Sequence, residues 1–382
     1  FLSLKTFTKL LLMRFLRIVA ILTLLSTTNL SFSQGVIPTV GTDFWMGYMN
    51  NYGTYAGVIE LQLFISGQNA TTGTVDVPLQ GWTTNFNVTP GAVTTVTVPT
   101  AVGHHILNDV VEGRGVHITT ADTVSVFAIN FHAYTADASK VLPIRSLGTE
   151  YIVSTYSGIG SGFSLSSEFL IVATEDGTEI EITPSVATSG GNAAGVTYTI
   201  FLDEGETYQV KAGTSSTDLS GTTLVATAAS GPCRPFAVFA GSQCTNIPTG
   251  CTACDHIYDQ LLPTASWGTD YYIVPFSGTS GFTYQVMARD NGTQVSIDGG
   301  APINLNAGRR RTAGTPERAA GLVRVQTLRP SRRLPQNRCS AADVPQLRAR
   351  HPSCRRAMAL RPAQHAAQRR RTEGRLPVAP LH

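Results

Sequence analysis

The sequence predicts an all-β protein built from internally repeated antiparallel sheets. A Gly-Thr-acidic-aromatic pattern occurs three times, at residues 41–44, 148–151 and 268–271, with start-to-start spacings of 107 and 120 residues. Between residues 34 and 308, short runs alternate polar and apolar side chains and are separated by Asp-Gly, Asn-Gly and Gly-Gly pairs. Such alternation and such turns are typical of antiparallel strands. No stretch of this region has a convincing helical period, so helices are not expected there.

The alternation of polar and apolar residues within each repeat predicts where its strands lie and how many there are. In the first repeat, alternation predicts strands over residues 58–65, 73–77 and 94–98. In the second and third repeats, residues 173–182 and 288–297 carry the same turn-then-strand pattern. About seven strands fit in one repeat, which suits either one β-sandwich or two propeller blades that share strands. We favour a β-propeller-like arrangement, with tandem β-sandwiches as the alternative.

The N-terminus has the pattern of an export signal. Residues 13–17 carry two arginines, residues 18–25 form an apolar run, and small residues precede Gln34. These three features are typical of a secretory signal, and the run is shorter than the roughly 20 residues that span a bilayer as a helix. We therefore predict a signal peptide over residues 13–33, no membrane span in the mature chain, and upstream read-through over residues 1–12.

Charge divides the remaining chain into two parts. Residues 34–308 contain six basic and 22 acidic residues, whereas residues 309–382 contain 18 arginines and three acidic residues. The overall net charge of +3 therefore describes neither part. An acidic body argues against a nucleic-acid partner, because binding to phosphates needs clustered Lys and Arg.

The basic tail departs from the repeat pattern. After Gly205 the second repeat continues with a strand-like segment, whereas after Gly308 the third repeat continues with three arginines. Residues 309–382 contain no Lys, Ile, Phe, Tyr or Trp and are rich in Arg, Pro and Ala, whose codons are GC-rich. We therefore predict a repeated β domain over residues 34–308, with its third repeat truncated, followed by a frameshifted tail. A basic disordered arm and a separate domain are the alternatives.

Four cysteines lie close together in the second repeat. They occur within 22 residues, at Cys233, Cys244, Cys251 and Cys254. In an exported chain an even number predicts two disulfides, with three possible pairings. A zinc site is an alternative, although zinc normally takes two separated Cys-x-x-Cys clips and only one is present. A redox centre lacks a predicted helix N-terminus to lower a thiol pKa, and free thiols are the remaining alternative.

No recognisable catalytic constellation is present, so no catalytic, cofactor-binding or metal-binding residue is predicted. Residues 162–166 lack the closing glycine of a nucleophile elbow. His104 and His105 could form a metal pair, but adjacent strand residues point to opposite faces, and we expect a solvated loop there. Residues 175–177 and 290–292 lack the alternating ligands of calcium loops and are expected to form hairpin turns.

A motif in the second repeat resembles a known family. It reads Val-Phe-Ala-Gly at 238–241, Cys244, Asp-His at 255–256, Gln-Leu-Leu-Pro at 260–263 and Trp-Gly at 267–268. This order is not demanded by β-structure alone. From about Gly41 to Gly308 the chain resembles the N-terminal domain of IgGFc-binding protein and its bacterial relatives.

The resemblance implies a secreted or cell-surface, non-enzymatic module for binding or adhesion. Mammalian members of the family belong to mucus, and bacterial relatives occur in large surface or secreted proteins. The implied ligand is an extracellular protein or glycan, mucin-like molecules among them, and immunoglobulin Fc only by the family name. Loops on a rigid β-scaffold would carry recognition. The alternatives are a secreted carbohydrate-active hydrolase, whose carboxylates converge in the fold, and a structural spacer of a larger surface protein.

Overall fold

The structure is a computed structural model. It describes residues 37–52, 59–160, 164–227, 233–247, 253–273, 281–316, 321–327 and 346–352. Nearly all regular structure within these ranges is β-strand, so the all-β prediction with repeated antiparallel sheets is confirmed. Short helical turns occur at Pro78–Gln80, Thr100–Gly103, Ile144–Ser146 and Thr264–Ser266. The predicted export signal and the residues before it lie outside the described residues.

The first repeat forms one seven-stranded sheet around its core. The repeat contains β1 (Gly41–Met46), β2 (Glu60–Gly67), β3 (Thr71–Val77), β4 (Trp82–Val88), β5 (Thr94–Val98), β6 (Val111–Glu112), β7 (Val116–Phe131) and β8 (Ala136–Val141), and all of these except β6 belong to this sheet. The sheet order is β4-β3-β7-β2-β5, and β1 and β8 also pair with β7. Strand β7 is 16 residues long; β3 pairs with its first half, and β2 and β8 with its second.

The second repeat divides the same set of strands between two sheets. Its strands are β9 (Glu150–Ile152), β10 (Ser167–Ala173), β11 (Thr178–Thr183), β12 (Tyr198–Leu202), β13 (Thr207–Lys211), β14 (Thr223–Ala226), β15 (Phe236–Thr245) and β16 (Asp255–Gln260). One sheet has the order β12-β11-β14-β9, and the other β16-β15-β10-β13, extended at its edge by β6 of the first repeat. Strands β14 and β15 together take the place of the single strand β7.

The third repeat has the topology of the second. Its strands are β17 (Asp270–Ile273), β18 (Gly281–Met287), β19 (Thr293–Ile297), β20 (Ile303–Leu305), β21 (Arg310–Pro316), β22 (Gly321–Thr327) and β23 (Gln346–Pro352). The sheets β17-β22-β19-β20 and β21-β18-β23 correspond to β9-β14-β11-β12 and β13-β10-β15. Pairing register is also preserved, because Ile171 lies opposite Tyr208 in the second repeat and Val286 opposite Arg311 in the third.

In the second repeat, the two sheets face each other across one apolar core. Both sheets contribute to it, through residues that include Tyr151, Phe169, Ile171, Ile180, Leu202, Val210, Leu224 and Val238. Because strand residues alternate between faces, Leu170, Val172 and Phe239 lie on the opposite face, where they pack with Trp45 and Tyr48 of the first repeat. In the second repeat, strand order within each sheet does not follow the chain, and the two facing sheets have the topology of the tandem-sandwich alternative.

The two Gly-containing turns after β10 and β18 are not hairpins. Strands β10 and β11 belong to different sheets, and so do β18 and β19, so each turn carries the chain from one layer to the other. Gly177 and Gly292 have φ values of 65° and 74°, which suit glycine. The Asp203 carboxylate accepts a hydrogen bond from the Gly177 amide at 2.8 Å. The prediction of turns at residues 175–177 and 290–292 is therefore correct, but the prediction that they form hairpins is wrong. The strands on either side of each turn pair with strands further along the chain.

Strand pairing continues after Gly308. Strands β21 and β22 pair with β18, β17 and β19 in the positions that β13 and β14 hold in the second repeat. Arg310 contacts the second repeat, donating hydrogen bonds of 2.8 Å to the Thr155 carbonyl and to the Ser220 hydroxyl and pairing with the Asp218 carboxylate. The predicted boundary at Gly308 therefore falls within a paired part of the third repeat, and the frameshift stays a prediction.

Searching the described residues for a membrane-spanning helix identifies none of sufficient length and apolar character.

Candidate binding surface

One loop at the junction of the first two repeats exposes apolar side chains. This segment, residues 104–112, is called the bridging loop because its end, β6, pairs with β13 of the second repeat. Ile106, Leu107, Val110 and Val111 are each between 40 and 49 % exposed. Leu79 is exposed as well and packs against Gly113, one residue after the loop. Clustered exposed apolar residues of this kind mark interaction surfaces more often than isolated ones.

The first half of the bridging loop is held by His105 and Glu112. The His105 ring is buried, with Nδ1 2.8 Å from the Thr207 hydroxyl and Nε2 2.9 Å from the Leu107 carbonyl. The Glu112 carboxylate accepts hydrogen bonds from the amides of Ile106 and Leu107 at 3.0 and 2.9 Å. Burial lowers the His105 pKa to about 4, so the ring is neutral at pH 7.

The Glu112 pKa reflects two opposing effects. Burial raises the pKa of this carboxyl, but the amide hydrogen bonds from Leu107 and Ile106 and the neighbouring His105 and Arg114 outweigh burial and lower it. The carboxylate is therefore charged at neutral pH, where it accepts both amide bonds in full strength. These bonds hold the backbone beneath the exposed Ile106 and Leu107 side chains.

The second half of the loop is held by Asp109. This residue has a φ of 54°, an uncommon value for a residue other than glycine. Its amide donates to the Gln209 carbonyl at 2.7 Å, and its carboxylate accepts bonds of 3.0 Å from the Gly190 amide and the Asn192 side chain. Burial raises the Asp109 pKa, against the effect of these bonds. Both halves of the bridging loop are thus tied to the second repeat.

Behind the loop lies a group of buried ionisable side chains. Glu168 is fully buried, and its carboxylate lies 3.9 Å from the Lys211 ammonium. Burial raises the pKa of Glu168 and lowers that of Lys211, so burial works against charging either partner. His104 and His256 are buried too, and burial lowers their pKa values to about 4 and about 3. Since these groups lie beneath the surface, they support the junction between repeats and do not face a ligand.

The histidine pair does not behave as expected from the sequence. Both rings are buried, so the expectation of a solvated loop was wrong. His105 bonds Thr207 of the second repeat, while His104 forms a bridge to Tyr48 of the first. Within the described ranges, no group of three or more His, Cys, Asp or Glu side chains has the arrangement of a metal site. The backbone at His104 and the ring of His105 thus connect the start of the bridging loop to the first and second repeats.

Two of the four cysteines form a disulfide in the described part of the second repeat. Cys244 and Cys254 form a disulfide that connects the end of β15 to the residue before β16. Cys233 is also disulfide-bonded. Cys251 lies outside the described residues. The bond between Cys244 and Cys254 closes a short loop, because the two residues are ten apart in the sequence.

The motif that carries the family resemblance lies in the interior. Phe239 and Tyr258 are fully buried between the first two repeats, and the Tyr258 hydroxyl donates to the Gly47 carbonyl at 2.8 Å. Trp267 packs with Ile152 and Met287 between the second and third repeats. The motif therefore specifies how neighbouring repeats pack.

Sequence reasoning missed the bridging loop, although its two apolar pairs without alternation, Ile106-Leu107 and Val110-Val111, were a usable signal.

Comparison with known proteins gives one family and one curated relative. The family model described as IgGFc binding protein matches residues 137–327, which is half of the chain. A human protein named IgGFc-binding protein is 28 % identical over 261 residues, which cover 68 % of this chain and 5 % of the human protein. The chain therefore spans about one twentieth of the length of that relative. No solved structure matches.

Proposed function

Because this chain belongs to the IgGFc-binding protein family, we propose that it is a secreted or cell-surface binding module without enzymatic activity. The human relative is named for the Fc part of immunoglobulin G, and that name does not determine the ligand of this chain. A bacterial origin, which follows only from the resemblance to bacterial relatives of the family, is part of the proposal. The ligand is proposed to be an extracellular protein.

The observation that carries this proposal is the exposed apolar patch on the bridging loop. Four aliphatic side chains on one loop, with Leu79 beside them, remain in contact with water in the absence of a partner. Covering such side chains with the apolar surface of a protein gains free energy in proportion to the area removed from water. A protein ligand is favoured over a glycan because aliphatic side chains offer no hydrogen bonds to sugar hydroxyls.

Rigidity of the loop backbone also supports recognition. The bonds from Glu112, His105 and Asp109 hold the loop before any ligand arrives. A surface that is already ordered loses little conformational entropy on binding, so more of the contact energy contributes to affinity. Loops on β-scaffolds are common places for recognition for the same reason.

Substitution of the patch tests the proposal. The full chain and its Leu107→Asp and Val110→Asp variants are passed over immobilised IgG Fc, mucin and a glycan array, with biolayer interferometry as the measurement. Val93→Asp is the matched control, since Val93 is also exposed but lies in the turn between β4 and β5 and not in the bridging loop. Each patch variant should lose binding about tenfold or more, and the control should keep it.

Three outcomes contradict the proposal in different ways. Equal binding by the patch variants and wild type would place recognition elsewhere on the molecule. Absence of binding to every probe would favour the structural-spacer alternative. Release of product from a polysaccharide panel would favour the hydrolase alternative.

A further inference from the structure

The first repeat contacts the second through the same kind of residue as the second repeat contacts the third. The residue directly after the repeated Gly-Thr-acidic-aromatic pattern is Trp45 in β1, Ile152 in β9 and Tyr272 in β17. Trp45 is covered by the second repeat, and Ile152 by the third. Their exposed fractions are 1 % and 3 %. Each repeat therefore offers the residue at this position to the repeat that follows it.

The surface that covers this residue is also the same in both cases. In the second repeat it is the face of the β10 sheet that points away from the core of that repeat. In the third repeat it is the corresponding face of the β18 sheet. Leu170 and Phe239 provide it in the first case, and Met287, which packs with Ile152, provides it in the second. The turn glycines Gly205 and Gly308 take part as well.

The two glycine contacts are equivalent. The Gly205 carbonyl accepts a hydrogen bond of 2.9 Å from the Gly115 amide of the preceding repeat. Gly308 packs equally closely on Gly221, where a Cβ atom would lie 2.5 Å from the Gly308 carbonyl oxygen. Side chains at Gly115 or Gly221 would therefore separate neighbouring repeats.

At the two ends of the described structure these surfaces have no neighbouring repeat on them. Tyr272, at the position of Trp45 and Ile152, is 79 % exposed. Phe127, at the register position of Phe239, is 44 % exposed, whereas Phe239 is fully buried. Among the described residues, no heavy atom lies within 4 Å of a Cβ placed on Gly91, the counterpart of Gly205. Each end thus carries one half of an interface that the molecule forms twice internally.

We propose that a second copy of this chain docks head to tail, with the Phe127 face of its first repeat covering Tyr272 of the third repeat. The occupant is a second copy because the matching half of the interface is present on the same chain. Such an interface is heterologous, so each added copy leaves a further free end and association can continue beyond the dimer. This proposal is independent of the ligand bound by the bridging loop.

Complementary variants test the proposal by sedimentation-velocity centrifugation of the full chain. Wild type should show a sedimentation coefficient that rises with concentration and passes that of a dimer. Tyr272→Asp and Phe127→Asp should each lose this association, with a dissociation constant at least about tenfold weaker. An equimolar mixture of the two variants should recover a 1:1 dimer and stop there, because each variant retains the surface that the other lacks.

Controls keep the outcome interpretable. Phe201→Asp replaces an exposed aromatic residue of β12 that belongs to neither end, and it should associate as wild type does. Circular dichroism spectra should show that every variant is folded. The proposal is overturned if wild type stays monomeric at all concentrations, or if Phe127→Asp alone still dimerises, which would indicate a symmetric contact through Tyr272.

Discussion

The second and third repeats share their strand order and pairing register but not their side chains. Opposite Ile171 in β10 lies Tyr208 of the core, whereas opposite the equivalent Val286 in β18 lies Arg311. The topology therefore survives a change of residue type at a position that faces the core in one repeat. Both repeats keep turn glycines with positive φ, Gly177 and Gly205 in the second and Gly292 and Gly308 in the third, together with the same backbone pairing.

Truncating one equivalent core residue in each repeat gives the largest expected effect. Phe169 in β10 and Tyr284 in β18 occupy the same register position, and both are buried. Phe169→Ala and Tyr284→Ala should each lower the free energy of unfolding by about 3–5 kcal/mol, because each leaves a cavity. Urea denaturation followed by tryptophan fluorescence measures both. A loss below about 1 kcal/mol for Tyr284→Ala alone would break the equivalence of the two cores.

Removing the bond between Cys244 and Cys254 should have the next largest effect. The double variant Cys244→Ser with Cys254→Ser frees a loop whose ends are ten residues apart. Loss of the crosslink should lower the free energy of unfolding by about 3 kcal/mol through greater freedom of the unfolded chain. Thermal unfolding with and without a reductant is the measurement, and the double variant should be insensitive to reductant at this bond. An unchanged melting temperature would contradict the expectation.

Acidification should destabilise the junction formed by the second repeat. Burial lowers the His256 pKa to about 3, below the value of about 6.5 in the unfolded chain. The folded state therefore favours the neutral ring, so this contribution to stability is present above pH 6.5 and is lost as the pH falls towards 3. His104 acts in the same direction, whereas the raised pKa of Glu168 acts in the opposite one.

The variant His256→Gln isolates the histidine contribution. Its amide can still donate to the Ser242 carbonyl, which the His256 ring approaches at 2.9 Å. Between pH 7 and pH 4, the stability of this variant relative to wild type should improve by at least about 1 kcal/mol. Urea titrations at four pH values give the difference. Parallel pH profiles would show that the pKa of His256 is the same in the folded and the unfolded chain, which would contradict the expectation.

Replacing an arginine of the third repeat should have the smallest effect, and in the opposite direction. Arg311→Tyr installs the residue that the second repeat has at this register position, Tyr208. Tyr208 belongs to the core of the second repeat, so equivalence of the two repeats predicts that the variant is more stable by about 1 kcal/mol. The matched control is Arg309→Tyr, outside the strand. Destabilisation by Arg311→Tyr would show that the third repeat is packed differently from the second.

Much of the fold could be predicted from local pattern, but the pairing of strands could not. The alternation over residues 94–98 predicts strand β5 correctly, and the repeat openers coincide with β1, β9 and β17. Which strand lies beside which is decided by contacts far along the chain, such as β1 with β7, and no local signal encodes that choice. For this reason the sandwich and propeller alternatives could not be separated before the sheet order was known.

The candidate binding surface was less predictable than the fold. The histidine pair and the cysteines were the candidate site residues in the sequence. In the structure the histidines are buried, and Cys244 and Cys254 form a disulfide. His105 is buried beneath the bridging loop, while the residues that reach solvent are the ordinary Leu107 and Val110. Exposure depends on which elements cover a residue, and this follows only from the packing of one repeat on the next.

The continuous strand β7 has a consequence for how the first repeat folds. Residues of β1 pair with β7 across some 70 positions of the chain, as Met46 does with Val116, so the sheet is closed by distant contacts. Domains with a high contact order fold slowly, because loop closure opposes each distant pairing. Since β7 also pairs with β2 and β3, we expect the first repeat to form in a single late step that waits until this strand has been synthesised.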